Sequence, residues 1–323
     1  MPARLVVWAL IEPGLLLREA QRQLGEAAVL AGSVAEVSAA LREGAEMLVL
    51  SDAVYSAAAA AALRDCGSRL RWIQCVTTGT DRMRRFGVPP QVVVSNVGDA
   101  FAPAVATHAV ALLLALQRRL PATLAAQAEH RWEREVAMGA LIPLGQRAVV
   151  FGFGPIGQEI GRLLGAFGMQ VTAVSRSGAA SALAPTLPAA RFDEALAEAD
   201  ALILAAPLTP ETEHIVDADR LARCRPGMLL VNIGRGGLVD QVALAAALRD
   251  GRLGGAALDV ADPEPLPPGD PLWRAPNLIV TPHVAGLAAG VSMRRICDVL
   301  GNNLRRVLAG EAPGQVVMGA APR

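Results

Sequence analysis

Three segments late in the chain carry side chains that could grip a small acid and move a proton. In NIGRGG (232–237), Arg235 follows an apolar run, where a planar guanidinium can hold a carboxylate and a neighbouring carbonyl together. In LDVADPEPLP (258–267), Glu264 sits in a loop fixed by prolines, and in IVTPHVAG (279–286), His283 follows the apolar residues Leu278, Ile279 and Val280. An imidazole at such a place can donate a proton to a carbonyl oxygen, and a carboxylate can hold that imidazole. Each residue also has a plainer reading. Arg235 could pair with a nearby acid, Glu264 could be a solvated loop charge, and His283, one of four histidines, could be a packed ring.

A glycine pattern earlier in the chain adds a second chemistry. GFGPIG (152–157) lies between the strand-like RAVVF and the helix-like QEIGRLLGAFG. In that context Gly152 permits a tight turn, Gly154 lets backbone approach a pyrophosphate, Pro155 and Ile156 open the helix, and Gly157 allows close helix packing. A ligand-free glycine turn is the alternative. The next apolar run, MQVTAVSRS, ends in Ser175, Arg176 and Ser177, and no acidic residue occurs between Glu159 and Asp193. A carboxylate there would bind the ribose hydroxyls of NAD, whereas a cation with two hydroxyls favours the 2′-phosphate of NADP(H), with NAD(H) still possible. If Arg176 is only a solvated surface cation, either cofactor would bind. A dinucleotide site together with a carboxylate clamp and a held proton donor is what hydride transfer to a 2-keto acid requires.

Composition removes competitors. All thirty basic residues are arginine, which excludes lysine Schiff bases, pyridoxal-phosphate anchors and the lysine phosphate loop. Neither GxSxG nor HExxH occurs, and the four cysteines form no CxxC pair, so free thiols in a reducing cytoplasm are expected and no metal site is. Thirty acidic residues balance the basic ones and aromatics are 3%, which argues against nucleic acid as a partner. The opening apolar run Leu5–Ile11 is too short for a signal peptide and reads as a first strand, and the run Ala104–Leu116 falls short of a bilayer span, so no membrane partner is expected.

These side chains need a frame. With 53% hydrophobic residues in 323, the chain can build two cores. Residues 1–96 alternate short apolar runs (LVVWAL, MLVL, WIQCV, VVVSN) with Ala-rich helical stretches, one α/β unit. A long apolar helix after Asn96 reads as a bridge. Six further strand-like runs then make residues 97–286 a Rossmann-type dinucleotide-binding domain, and the helical run at about 287–309 is expected to return, with the rest of 287–323, to the first domain. The fold class expected is thus α/β with two doubly wound parallel-sheet domains, the larger binding the dinucleotide, and the proton carrier in a cleft between them.

At these residues the chain resembles the D-isomer specific 2-hydroxyacid dehydrogenase family over nearly its whole length: GFGPIG, PLTPETEHIV, VNIGRGGLVD, AALDVADPEP and IVTPHVAG occur in the family's order. The resemblance implies that Arg235 binds substrate, His283 is the acid/base and Glu264 orients it. It also implies that Thr78, Gly79 and Asn96 form the substrate-side loop, that Pro207 and Ile233 line the cofactor, and that Asp259 contacts the nicotinamide carboxamide. Asn96 could instead cap the next helix, Pro207 merely end a strand, and Asp259 bond local backbone. His108, His130 and His214 match no catalytic position and read as structural. Ala106 and Thr107 stand where many members have Ala-Glu, and SRS resembles the NADPH-type glyoxylate and hydroxypyruvate reductases. A homodimer with the segment around Trp132 at its interface, a small 2-keto or 2-hydroxy acid partner and a cytoplasmic setting complete the expectation. A dinucleotide-sensing binding protein without turnover, like the family's corepressor branch, is the alternative from another class.

Overall fold

The computed structural model describes residues 4–288 and 290–319, which divide into two α/β units. The first holds the described residues up to Phe101 and those from Ala288 onward, and the second holds Ala102–Leu287. Positions 289 and 320–323 of the expected returning segment 287–323 lie outside the described residues.

In the first unit the chain runs β1 (Leu5–Trp8), α1 (Pro13–Leu24), β2 (Ala28–Leu30), α2 (Val34–Arg42), β3 (Met47–Leu50), α3 (Ala57–Cys66), β4 (Trp72–Cys75), α4 (Asp81–Phe86) and β5 (Val93–Ser95). Strands β1, β3, β4 and β5 are buried along their whole length, as a parallel sheet covered on both faces demands. Ser33 and Ser56 start α2 and α3 by accepting the N–H of Glu36 and Ala59. The unit extends past the expected end at 96 to Phe101, because Val97 and Ala100 bury in one apolar cluster with Leu5, Val7 and Trp72.

The second unit opens on α5 (Ala102–Gln117) and α6 (Leu120–Ala128), then continues as β6 (Arg147–Phe151), α7 (Pro155–Ala166), β7 (Gln170–Ser175), β8 (Thr186–Pro188), α8 (Phe192–Ala197), β9 (Ala201–Leu204), α9 (Ala218–Arg223), β10 (Met228–Asn232), α10 (Gln241–Arg249), β11 (Leu253–Leu258) and β12 (Leu278–Val280). Helix α5, read from sequence as a bridge, packs on α7, β10 and β11 of its own unit. No single helix among the described residues is long and apolar enough to cross a membrane.

All seven strands of the second sheet are parallel, in the order β12-β11-β10-β9-β6-β7-β8, the doubly wound arrangement expected. The short β8, TLP, is an edge strand with no apolar run to announce it. The chain winds outward from β6 in one direction and then, from β9, in the other, which makes the gap between β6 and β9 the switch point where such sheets hold ligands. Register sharpens this. Phe151 pairs with Val174 and Leu204, Asn232 with Leu204 and Leu258, and Leu258 with Val280. Five strands therefore end level with β6, and the loops that follow them share one edge.

After β12 the chain returns to the first unit as α11 (Val291–Leu308) and β13 (Val316–Met318). Buried residues Met293, Ile296, Cys297, Leu300, Leu304 and Val307 recur at helical spacing and face the core holding Leu5, Leu16 and Trp72. A Cβ at Gly301 would lie 2.5 Å from Glu19 Oε1, so a larger residue there would have to displace the Glu19 side chain of α1. Strand β13 adds to β5 antiparallel, the one departure from a parallel sheet here. A buried polar chain fastens the returning segment. Trp72 Nε1 donates to Ser95 Oγ (2.9 Å), Ser95 Oγ to Gln74 Oε1 (3.0 Å), and Asn303 Nδ2 to the same oxygen (2.8 Å), while Asn303 Oδ1 accepts the Gly314 N–H (2.7 Å).

Replacing Asn303 by Leu strands the Gly314 N–H and should lower the unfolding free energy by about 1–3 kcal/mol. Urea denaturation checks it, and an unchanged midpoint would show the network to be dispensable.

Candidate active site

The glycine motif follows β6 and each glycine has its own geometric reason. Gly152 has φ +97°, and a Cβ there would meet Ala206 N at 2.5 Å, where the loop after β9 presses against it. Gly157, one turn into α7, would place a Cβ 2.0 Å from Gly152 O. Gly154, the residue before α7, has nothing within 4 Å of its Cβ direction, which leaves open space at a helix start whose first N–H groups lack intrahelical partners. Two glycines bring helix and strand together and the third leaves a cradle, a donor set that fits a dinucleotide pyrophosphate.

Around this cradle lie the other cofactor candidates. Ser175 ends β7, and Arg176 and Ser177 follow it in a turn closed by the Gly178 N–H on Ser175 Oγ (3.1 Å), with Arg176 exposed. Sequence reasoning missed Glu211 in the loop after β9. Its carboxyl is held below the ordinary value chiefly by the Thr209 hydroxyl and least by the charge of Arg176. Pro207 is exposed in the same loop, where its carbonyl accepts from Thr212 Oγ1 (2.8 Å), and Ile233 is buried just past β10.

Arg235 extends from the loop after β10, which Asn232 shapes: Asn232 Oδ1 accepts the Gly234 N–H (3.1 Å) and its Nδ2 donates to Arg235 O (2.9 Å). The glycines around it are required by contact. A Cβ on Gly236 would fall 2.0 Å from Ala261 C, and one on Gly234 would fall 2.7 Å from Ala206 O. The loop of Arg235 is thus wedged between the loops after β9 and β11, the second of which carries Glu264.

Glu264 and His283 meet directly, with His283 Nδ1 2.8 Å from Glu264 Oε2. Glu264 Oε1 accepts the Ala261 N–H (3.1 Å), and Gln241, at the start of α10, brackets the loop by donating to Asp262 O (2.7 Å) and accepting the Asp262 N–H (2.8 Å). Asp240 fixes that end of α10 by accepting the N–H of Val242 and Ala243. The hydrogen bond from Glu264, and then its charge, hold the His283 imidazole above its ordinary 6.5, against burial and the Arg235 charge. Burial alone would raise Glu264, but His283, the Ala261 N–H and Arg235 together hold it below its ordinary value. Both shifts favour imidazolium beside carboxylate. Among the described residues, Nε2 of His283 has no hydrogen-bond partner.

Asp259, for which the sequence left two readings open, bonds local backbone and side chains. It is 1% exposed. Its Oδ1 accepts Thr281 Oγ1 (2.6 Å) and the Val284 N–H (2.9 Å), its Oδ2 the Ala285 N–H (2.9 Å), and its carbonyl the His283 N–H (2.7 Å). A carboxylate so enclosed shapes the turn around His283.

The substrate-side candidates belong to the first unit. Asn96 Nδ2 donates to Thr78 O (2.8 Å) and its Oδ1 accepts the Gly98 N–H (2.9 Å), so Asn96 ties down the loop of Thr78 and Gly79 and does not cap α5. Thr77 Oγ1 donates to Gly79 O (2.9 Å), and the buried Asp52, which sequence reasoning passed over, accepts the N–H of Arg82 and Met83 (3.0 Å each) at the start of α4. His130 and His214 are exposed, and the described residues hold no acid, cysteine and histidine group fit for a metal ion. All four cysteines are free and buried. A cavity of about 350 Å³ lined by Gln117, Gln146, Asp200 and Asn277 lies at the amino ends of the second sheet's strands, the opposite edge from these loops.

Comparisons with known proteins bear on the family and the fold. Residues 110–285 match the D-isomer specific 2-hydroxyacid dehydrogenase NAD binding domain. The chain is 39% identical over 224 residues to D-3-phosphoglycerate dehydrogenase of Mycobacterium bovis, covering 68% of this chain but only 41% of that protein's length. It is 31% identical over 283 residues to the glycerate dehydrogenase of Methylorubrum extorquens, covering 85% of this chain and 86% of that one. A crystal structure of a D-isomer specific 2-hydroxyacid dehydrogenase family protein from Aeromonas salmonicida superposes with a TM-score of 0.85 at 28% identity, covering 98% of this chain and 99% of the other. The NADPH-dependent glyoxylate/hydroxypyruvate reductase of Sinorhizobium meliloti gives 0.79 at 29% identity, covering 98% and 97%.

The His283 ring should titrate above 6.5 in proton NMR. In a Glu264→Gln variant the midpoint should fall toward that value, because burial and Arg235 are then opposed only by the weaker effect of the Asp259 charge. An unmoved midpoint would break the pairing.

Proposed function

Because the chain belongs to the D-isomer specific 2-hydroxyacid dehydrogenase family, we propose that it reduces a small 2-keto acid of the glyoxylate or hydroxypyruvate class to the D-2-hydroxy acid with NAD(P)H, NADPH being preferred. The observation that carries this reading is the 2.8 Å contact between His283 and Glu264 on the sheet edge that also holds Arg235 and the open glycine cradle. When bound, the cofactor supplies the hydride. Gly152, Gly154 and Gly157 with the start of α7 would hold its pyrophosphate, and Ser175, Arg176 and Ser177 the adenosine side. Arg235 would clamp the substrate carboxylate, with Thr78, Gly79 and Asn96 as the substrate-side loop. His283 Nε2–H would give its proton to the carbonyl oxygen as hydride adds at the carbon, leaving neutral imidazole held at Nδ1 by Glu264.

The absence of a carboxylate in the SRS turn supports NADPH. Loss of absorbance at 340 nm with NADPH, then NADH, on glyoxylate, hydroxypyruvate, pyruvate and branched or aromatic 2-keto acids tests the reading. Turnover should prefer NADPH, and Arg176→Ala should remove most of that preference. Reduction should fall as pH rises past the raised His283 value, because the imidazolium is lost, while oxidation of the hydroxy acid should rise. Cofactor binding without turnover on any acid would favour a dinucleotide sensor.

We also propose a homodimer in a reducing cytoplasm. Leu124, Trp132, Met138, Ile142 and Leu144 are 58%, 93%, 71%, 57% and 70% exposed within one stretch of the second unit, more apolar surface than a lone subunit usually leaves wet. The four free thiols suit that compartment. Light scattering should report a dimer for the natural chain and a shift toward monomer for Trp132→Ser. A natural chain that is monomeric at micromolar concentration would refute the dimer.

A further inference from the structure

We infer that His108 is a positioning residue for the turn that carries His283, acting through Thr281 and Asp259. The inference rests on the proposed reductase reading for its kinetic consequence, though not for its geometry. His283 has φ +54°, a left-handed backbone that a residue with a Cβ holds only when its surroundings impose it. What imposes it is Asp259: the N–H groups of His283, Val284 and Ala285, three in succession, all donate to this one residue. The turn is therefore as well placed as Asp259 is.

Two side chains hold Asp259 in turn. Thr281 Oγ1 donates its single proton to Asp259 Oδ1 at 2.6 Å. His108 Nε2 lies 3.1 Å from Thr281 Oγ1 and 3.4 Å from Asp259 Oδ1. With the threonine proton already given to Asp259, both neighbours of Nε2 are acceptors, so Nε2 carries the hydrogen and His108 is the donor. The imidazole comes from α5, which packs on β10 and β11 and has most of its inner residues buried, so the donor is on a rigid element and not on a loop. His108 thereby closes a chain from helix to Thr281, to Asp259, to the turn, and to the Nδ1 contact with Glu264. The charged groups acting on His283 are Glu264, Arg235 and Asp259, and His108 reaches the ring only through the last of these.

The test is the ring-proton titration of His283 in His108→Ala, His108→Gln and Thr281→Val, read beside steady-state kinetics. Four histidines make the ring assignable by its loss in His283→Asn. In His108→Ala the His283 midpoint should fall toward 6.5 as the turn relaxes away from Glu264, and kcat should drop about tenfold with KM for the keto acid nearly unchanged. His108→Gln, whose amide can donate to Thr281 in place of Nε2, should restore both. Thr281→Val breaks the link from the other side and should reproduce the alanine result, and it decides the matter if His108→Ala does not fold. A natural His283 midpoint in both His108→Ala and Thr281→Val would overturn the inference. The titration needs no turnover, so a chain that reduces no keto acid would sink the activity and leave this question still answered.

Discussion

One buried carboxylate organises the reactive edge of the second unit. Asp259 follows β11, is sealed from solvent, and spends its oxygens on the backbone of the neighbouring strand's loop. A buried anion costs free energy unless hydrogen bonds replace its water, and here backbone N–H groups and the Thr281 hydroxyl do so. The return is a fixed left-handed turn at His283, which swings the imidazole onto Glu264. Remove the anion and the turn loses the acceptor of the Val284 and Ala285 N–H groups, leaving only the His283 N–H on the Asp259 carbonyl.

Close approach of backbone is the second constraint. Gly152, Gly157, Gly234 and Gly236 each occupy a place where a methyl group would overlap a main-chain atom of an adjoining loop or strand. The loops after β6, β9, β10 and β11 are stacked against one another by these contacts, so Arg235 and Glu264 are set by packing of main chain and not by long flexible side chains. Gly154 is the exception: the space beside it is open, and its value lies in what can approach it.

The electrostatics of the pair follow from partial exposure. The His283 and Glu264 side chains are 54% and 41% exposed, so solvent screens their attraction and the contact serves orientation and proton affinity more than stability. Arg235 acts on both partners in opposite senses, easing ionisation of Glu264 and resisting protonation of His283. Its guanidinium partly offsets the stabilisation of the imidazolium by Glu264.

Much of this was legible in the sequence because it is local. Apolar runs of strand length, Gly152-x-Gly154-x-x-Gly157 between a strand and a helix, and the order of Arg235, Glu264 and His283 at strand ends are properties of a few neighbouring residues, and alternation of strands with helices dictates a parallel, doubly wound sheet. The short strands β8 and β13 were not legible, since three residues of an edge strand carry no periodicity. Nor was the end of the first unit, which depends on Val97 and Ala100 finding Leu5 and Trp72 far away in sequence. The same holds for Asp259, Asn96, Gln241, Asp52 and His108. A polar side chain has as many partners as the chain can bring within 3.5 Å, and whether it faces a ligand, a backbone N–H or another side chain is settled only when strands distant in sequence end level at one edge. The sequence by itself determined the fold class and pointed to three candidate side chains, because these rest on local pattern. Tertiary structure decided which groups hold them in place, because hydrogen bonds are short, directional and formed between residues that only folding makes neighbours.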